Sequence, residues 1–256
     1  MPRNDRPVAL VTGGGSGIGA AIARALSTDY HVAVCGRRMA QIAQVATETG
    51  GLALQTDLSQ PEASRDVVAS VVERCGRLDA LVLNAGIVEP APFAELSLDS
   101  WQRQIMVNLT SPFLTAQAAL PHLANHQGAI VGIASAAADQ TGAGLSAYGV
   151  SKAGMVRLIQ SIAFEAAGMG VRANAVSPGW VRTEMGDMEM TELCGSPEAG
   201  YALATQHVPQ RRAAQPKEIA AVVRFLLSPS ASFMTGSNVT VDGGSALVDA
   251  GMIACN

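Results

Sequence analysis

A serine, a tyrosine and a lysine are the residues of this chain whose types and spacing best suit chemistry. Ser135 follows an apolar run, Gly128-Ala-Ile-Val-Gly-Ile-Ala134, that reads as a buried strand delivering the serine at its carboxyl end. A glycine-bearing loop comes next, and then SAYGVSKAGMVRLIQSIAFEAAG, whose apolar spacing suits a largely buried helix. Tyr148 and Lys152 stand four apart there, so that helix presents both on one face, one turn from each other. A hydroxyl, a phenol and an ammonium can then converge on one oxygen of a bound molecule, which suits proton transfer.

The elements around this trio alternate strand and helix along the chain. Pro7-Val-Ala-Leu-Val-Thr12 is a short apolar run ending at Gly13-Gly-Gly-Ser-Gly-Ile-Gly19, and a helical pattern with Ile18, Ile22 and Leu26 follows. Strand, glycine turn and helix in that order aim backbone N–H groups and a positive helix end at a phosphate. Glycine is needed because a side chain would hold a pyrophosphate away from the backbone. No Lys-Ser/Thr closes the turn, so a P-loop is excluded. His31-Val-Ala-Val-Cys35 is the second strand, ending at Gly36-Arg37-Arg38. Folds that prefer NAD usually place an acid at this strand end, whereas arginine accommodates a 2′-phosphate. Here glycine takes the acid's place and two arginines follow, though both would also suit a solvated helix start.

Leu52–Thr56 reads as the third strand with Asp57 at its tip, 61–75 as a helix, and Asp79–Leu83 as the fourth strand, running into Asn84-Ala85-Gly86. A long helix is expected over 98–126 with Asn108 near its middle; asparagine is a poor residue there, so a functional kink is expected at that point. His122 and His126 fall at i, i+4 of that helix, but no third ligand or HExxH glutamate accompanies them, and no metal is expected. Val171–Val176 is a sixth strand ending in Ser177-Pro178-Gly179. The weakly patterned stretch 183–212, with Met185, Met188 and Met190, reads as a substrate lid, its methionines serving either a tolerant pocket or packing. A helix over 216–227 and a strand over 238–241 complete the pattern.

Composition bounds the rest. The 256 residues are 48% hydrophobic and 15% charged, which supports a large core and argues against disorder. A net charge of −4 without a basic block argues against nucleic acid, and no apolar run is long enough to span a membrane. Cys35, Cys75, Cys194 and Cys255 are scattered and form no CxxC; with no apolar signal core at the N-terminus, a reducing cytoplasm is the expected location.

The strand–helix alternation argues for one domain, residues 1–256, built on a parallel sheet covered on both faces. Several motifs then fall in one order: Thr12-Gly13-x-x-x-Gly17-x-Gly19, Asn84-Ala85-Gly86, Asn108, Ser135, Tyr148-x-x-x-Lys152, Pro178-Gly179 with Thr183, and Val241-Asp242-Gly243-Gly244. Nearly end to end, the sequence resembles the short-chain dehydrogenase/reductase family. The resemblance implies a Rossmann-type, doubly wound α/β fold with a parallel sheet of about seven strands. It also implies hydride exchange between NADP(H), or NAD(H), and an alcohol/ketone pair. Tyr148 would be the general acid or base, with a pKa lowered by Lys152 and by an oxidised nicotinamide. Ser135 would hold the substrate oxygen, Lys152 would grip the nicotinamide ribose, and Asn108 would hold a relay water. Gly13, Ser16, Gly17, Ile18 and Gly19 would line the pyrophosphate; Asp57 and Leu58 would meet adenine. Asn84, Ala85 and Gly86 would flank the cofactor, and Pro178, Gly179, Val181 and Thr183 would orient the nicotinamide. Members preferring NADP often carry a base within the glycine turn; this chain has Ser16, so the expected preference for NADP(H) rests on Arg37, with Arg38 as a weaker helper.

Assembly as a homotetramer is a further implication, with the apolar C-terminal run SALVDAGMIACN at a subunit contact. Two other readings stand beside the leading one. The chain could be an NAD-linked alcohol dehydrogenase with both arginines solvated, or a non-catalytic dinucleotide-binding sensor or scaffold.

Overall fold

In the computed structural model, which describes residues 6–248, the strands at the middle of the sheet are buried on both faces. That is why they read as unbroken apolar runs rather than alternating ones. In β1 (Val8–Thr12), Val8 and Leu10 enter one core while Ala9 and Val11 enter the other. The remaining strands are β2 (His31–Gly36), β3 (Leu52–Gln55), β4 (Ala80–Leu83), β5 (Ala129–Ile133), β6 (Arg172–Pro178) and β7 (Asn238–Val241). All neighbours pair in parallel, in the order β3-β2-β1-β4-β5-β6-β7. The expected seven-stranded, doubly wound parallel sheet is present.

Helices cover both faces, because each parallel pair needs a crossover. On one side lie α1 (Gly17–Leu26), α2 (Met39–Thr49) and, late in the chain, α9 (Pro216–Leu227), contributing Ile22, Leu26, Ile42, Ile219 and Val223 to the core. On the other lie α3 (Pro61–Cys75), α5 (Ser111–Ala124) and α6 (Ser146–Ala166), contributing Val67, Val71, Leu123, Met155 and Ile159. The strand order reverses between β1 and β4, so a crevice opens at their carboxyl ends, the usual ligand position in such sheets.

The helical region expected over 98–126 is present as three consecutive segments: α4 (Leu98–Ile105), a wide π-helical turn (Met106–Thr110) that contains Asn108, and α5, and the irregularity expected at Asn108 is that turn. The Asn108 side chain spends its bonds outside this helix, on Ile87 and Ser151, and the wider turn lies where it does so. His126 lies beyond the end of α5, so it does not share a helical face with His122. The lid stretch is more ordered than its pattern suggested, forming α7 (Glu184–Cys194) and α8 (Pro197–Ala204), whose N-caps are Thr183 and Ser196. Met190 is buried there with Tyr201 and Ala213, whereas Met185 and Met188 are exposed.

The C-terminal run expected at a subunit contact falls mainly on residues 249–256, outside the described residues. Among the described residues no helix is long and apolar enough to cross a membrane.

The helix carrying Tyr148 and Lys152 is seated on β5 through Met155 and Ile159, both fully buried and both against Gly132. Replacing Ile159 with alanine is expected to cost about 2–5 kcal/mol in urea denaturation. A loss under about 1 kcal/mol would mean that this contact is not close-packed.

Candidate active site

Parallel pairing brings the carboxyl ends of β1, β4, β5 and β6 to one edge, and the motif residues follow those ends directly: Gly13–Gly19, Asn84–Gly86, Ser135 and Gly179–Thr183. Thr12, nearly fully buried, ties the first two together. Its Oγ1 donates to the Val82 carbonyl (3.2 Å) and accepts from the N–H groups of Asn84 (2.9 Å) and Ala85 (3.1 Å). The Asn84 side-chain amide donates to the carbonyls of Thr12 (3.0 Å) and Gly13 (3.2 Å). Asn84 therefore braces the glycine turn from below with its side chain.

The turn itself fits an anionic ligand. Gly13 and Gly17 have φ of 63° and 52°, where a side chain would be strained. A Cβ on Gly19 would run into the Gly13 carbonyl oxygen and the Asn84 amide. Ser16 is the N-cap of α1 but makes no side-chain cap bond, so it leaves the helix's first-turn N–H groups uncapped and directed into the crevice. This is the cradle that a dinucleotide's pyrophosphate requires. Ile18 packs against the core beside it. Thr183, the residue expected at the nicotinamide, approaches the turn from the N-cap of α7: a Cβ on Gly17 would be 3.2 Å from its Cγ2. Pro178 ends β6 paired with Val241, Gly179 donates to the Val241 carbonyl (3.0 Å), and Val181 bridges to Ala214.

The expected adenine and ribose contacts are placed less uniformly. Asp57 is exposed, and its Oδ1 accepts from the Ser59 N–H (3.0 Å). Leu58 puts its side chain into the core, leaving only its backbone to meet a ligand. Arg37 is exposed, and no ion pair engages its side chain among the described residues. Arg38, ranked second from sequence, is the one that lies over the glycine turn, donating to Ser16 Oγ (3.0 Å) and to Glu184. It is the N-cap of α2 with extended backbone, and no sequence signal linked it to a lid residue so distant in the chain.

Asn108, Ser135, Tyr148 and Lys152 are brought to one region. Asn108 is fully buried; its Oδ1 accepts from the Ile87 N–H (2.8 Å), and its Nδ2 donates to the Ile87 carbonyl (2.8 Å) and to Ser151 Oγ (3.0 Å). Ser151 in turn donates to the Tyr148 carbonyl (2.7 Å). Sequence reasoning passed over Ser151, although its place beside Lys152 on the buried face could have flagged it. Lys152 Nζ donates to the Ile133 carbonyl (2.9 Å) and lies 5.6 Å from the Tyr148 ring centroid. A Cβ on Gly86 would be 3.4 Å from both Lys152 Nζ and Asn108 Oδ1, so glycine keeps the floor between them open.

Lys152 and an oxidised nicotinamide together were expected to lower the Tyr148 pKa; of these only Lys152 belongs to the chain, and the chain's own groups taken together raise it. Burial is the main cause; the Ser135 hydroxyl, by hydrogen bonding, pulls it back, and the Glu189 carboxylate on α7 pushes it up. Lys152 is itself desolvated, which lowers its pKa to about 8. The protein's own groups thus favour the neutral phenol over the phenolate.

A parallel sheet with a glycine turn at its switch point, and a half-buried tyrosine with a buried lysine beside it, defines a dinucleotide-binding oxidoreductase. Comparisons with known proteins agree. Residues 13–246 match the family model described as enoyl-(acyl carrier protein) reductase. The chain is 33% identical over 251 residues to meso-2,3-butanediol dehydrogenase of Serratia marcescens, covering 96% of this chain and 97% of that one. It is 38% identical over 248 residues to cis-4-hydroxycyclohexanecarboxylate dehydrogenase of Sinomonas cyclohexanicum, covering 93% and 95%. The ligand-free aldohexose dehydrogenase of Thermoplasma acidophilum superimposes with a TM-score of 0.88 at 28% identity, over 96% of each chain. The chain belongs to the short-chain dehydrogenase/reductase family. It is an oxidoreductase of that family, acting on CH–OH groups with a nicotinamide nucleotide.

The Lys152 pKa makes a testable statement about stability. Unfolded, the lysine titrates near its ordinary 10.5; folded, it titrates near 8, so between these values the unfolded chain binds more protons. The lysine's contribution to stability therefore rises with pH across that window. Measured by chemical denaturation at pH 7 and pH 9.5, wild type is expected to gain about 1–2 kcal/mol relative to Lys152→Met. A difference that does not change with pH would mean that the ammonium is not desolvated.

Proposed function

We propose that this protein interconverts a secondary alcohol and its ketone with NADP(H), Tyr148 being the general acid/base. The observation that carries the reading is the convergence of Ser135, Tyr148 and Lys152 at the carboxyl edge of β5, beside a glycine turn fitted for a pyrophosphate. The bound nicotinamide would supply or accept the hydride. The chain's own groups handle the oxygen. The Ser135 hydroxyl holds it, and the Tyr148 phenol donates a proton to it as negative charge develops. Lys152 holds its ammonium behind the phenol. Asn108 fixes the Ile87 backbone and, through Ser151, the turn of α6 that carries Tyr148.

The substrate class follows the relatives, which are named for a diol and for a hydroxycyclohexane carboxylate. The NADP(H) preference rests on the missing acid at Gly36 and the unpaired Arg37; the pairing of Arg38 favours NAD(H) as the second reading. A homotetramer belongs to the same proposal, supported by Phe113, Val150 and Phe164, large apolar side chains exposed on α5 and α6; a cytoplasmic location is proposed with it from the scattered cysteines alone.

Two variants test the reading. Tyr148→Phe is expected to abolish turnover while leaving dinucleotide binding, read by fluorescence, nearly unchanged; full turnover would remove the tyrosine from the mechanism. Arg37→Ala is expected to cost about 1.5–3 kcal/mol of NADPH binding and little of NADH binding. Equal losses for the two dinucleotides would assign Arg37 to solvent.

A further inference from the structure

The lid is fastened to the cofactor turn by a charged pair that the chemistry above does not use. Arg38 grips Glu184 with two parallel bonds, one amino group on Oε1 and the other on Oε2, each 3.0 Å. The second amino group also donates to Ser16 Oγ at 3.0 Å. Glu184 opens α7 directly after Thr183, and Thr183 packs against Gly17. The pair therefore crosses the mouth of the crevice from the end of β2 to the first turn of the lid. It meets the glycine turn at Ser16, where the pyrophosphate cradle begins.

We propose that Glu184 is a cofactor-selectivity residue, occupying by its carboxylate the arginine fork that an adenosine 2′-phosphate would otherwise take. This rests on the NADP(H) reading above. An arginine offers a planar fork that one bidentate oxyanion fills. Three of the five Arg38 N–H groups are committed, two to Glu184 and one to Ser16, so a 2′-phosphate arriving beside Arg37 meets the bidentate edge of the second arginine already taken and a like-charged carboxylate next to it. NAD(H) presents a ribose hydroxyl there and makes no such demand. The two side chains are each about half exposed. Such a pair is weak enough to be exchanged, so the carboxylate reduces the preference for NADP(H) without abolishing it. The acid missing from the end of β2 is thus partly replaced by one reaching over from the lid.

The test is a fluorescence titration of NADPH and NADH against wild type, Glu184→Gln, Arg38→Ala and the double variant. Glu184→Gln is expected to tighten NADPH about three- to ten-fold and to leave NADH within two-fold. The gain should vanish when Arg38 is also alanine. An equal change for both dinucleotides, no change, or a gain that persists without Arg38 overturns the proposal. The wild-type affinity ratio judges the NADP(H) reading separately, because the proposal concerns only how Glu184→Gln alters that ratio.

Discussion

Where β1 and β4 end side by side, the chain leaves the sheet in two directions, and their last backbone groups lose the ladder. One buried hydroxyl takes up that loss. Thr12 Oγ1 serves a carbonyl and two N–H groups of the β4 strand and its exit, and the Asn84 amide returns two bonds to the start of the glycine turn. Each such group left unpaired in a buried position would cost about 1–3 kcal/mol. Both exit paths are therefore fixed at once, one toward the pyrophosphate cradle and the other toward Gly86, where the floor meets Lys152 and Asn108. The crevice depends on this junction: without it, the glycine turn and the tyrosine–lysine pair would have no common frame.

A second constraint is dielectric. Burial raises the Tyr148 pKa and lowers that of Lys152, so both groups are pushed toward their neutral forms. A surface pair would show neither shift. The lysine meets part of its desolvation cost by donating to the Ile133 carbonyl at the end of β5, which also fixes where the ammonium sits. The strand that delivers Ser135 thus also places the charge behind Tyr148, and the three groups move as one body with the strand and helix that carry them.

Much of this was legible in the sequence, and the parts that were not share a cause. Central strands such as VALVT and AIVGI carry no alternation of polar residues, apart from the terminal Thr12, because both faces are covered, and their boundaries follow from that. Tyr148 and Lys152 could be paired because helical spacing is local. Asn108 announced itself as a misfit in a helix, and the wide turn around it is the answer. The lid helices α7 and α8 were missed because their apolar faces are narrow, holding little beyond Met190 and Tyr201. Their start signals were nevertheless present: Thr183 before Glu184, and Ser196 before Pro197 and Glu198. Ranking Arg37 above Arg38 went beyond local information. Which arginine faces the turn depends on how α2 begins and on what the lid offers it, and the residues concerned lie far apart in the chain.

That dependence has a structural consequence for how the two halves of the site communicate. Thr183 touches Gly17 and caps α7; Glu184 holds Arg38, and Arg38 holds Ser16. On the other side of the same helix, Gly186 and Met190 seat it against Tyr201, and Glu189 projects its field onto Tyr148. One short helix therefore carries a contact to the glycine turn at its first turn and an electrostatic influence on Tyr148 further along.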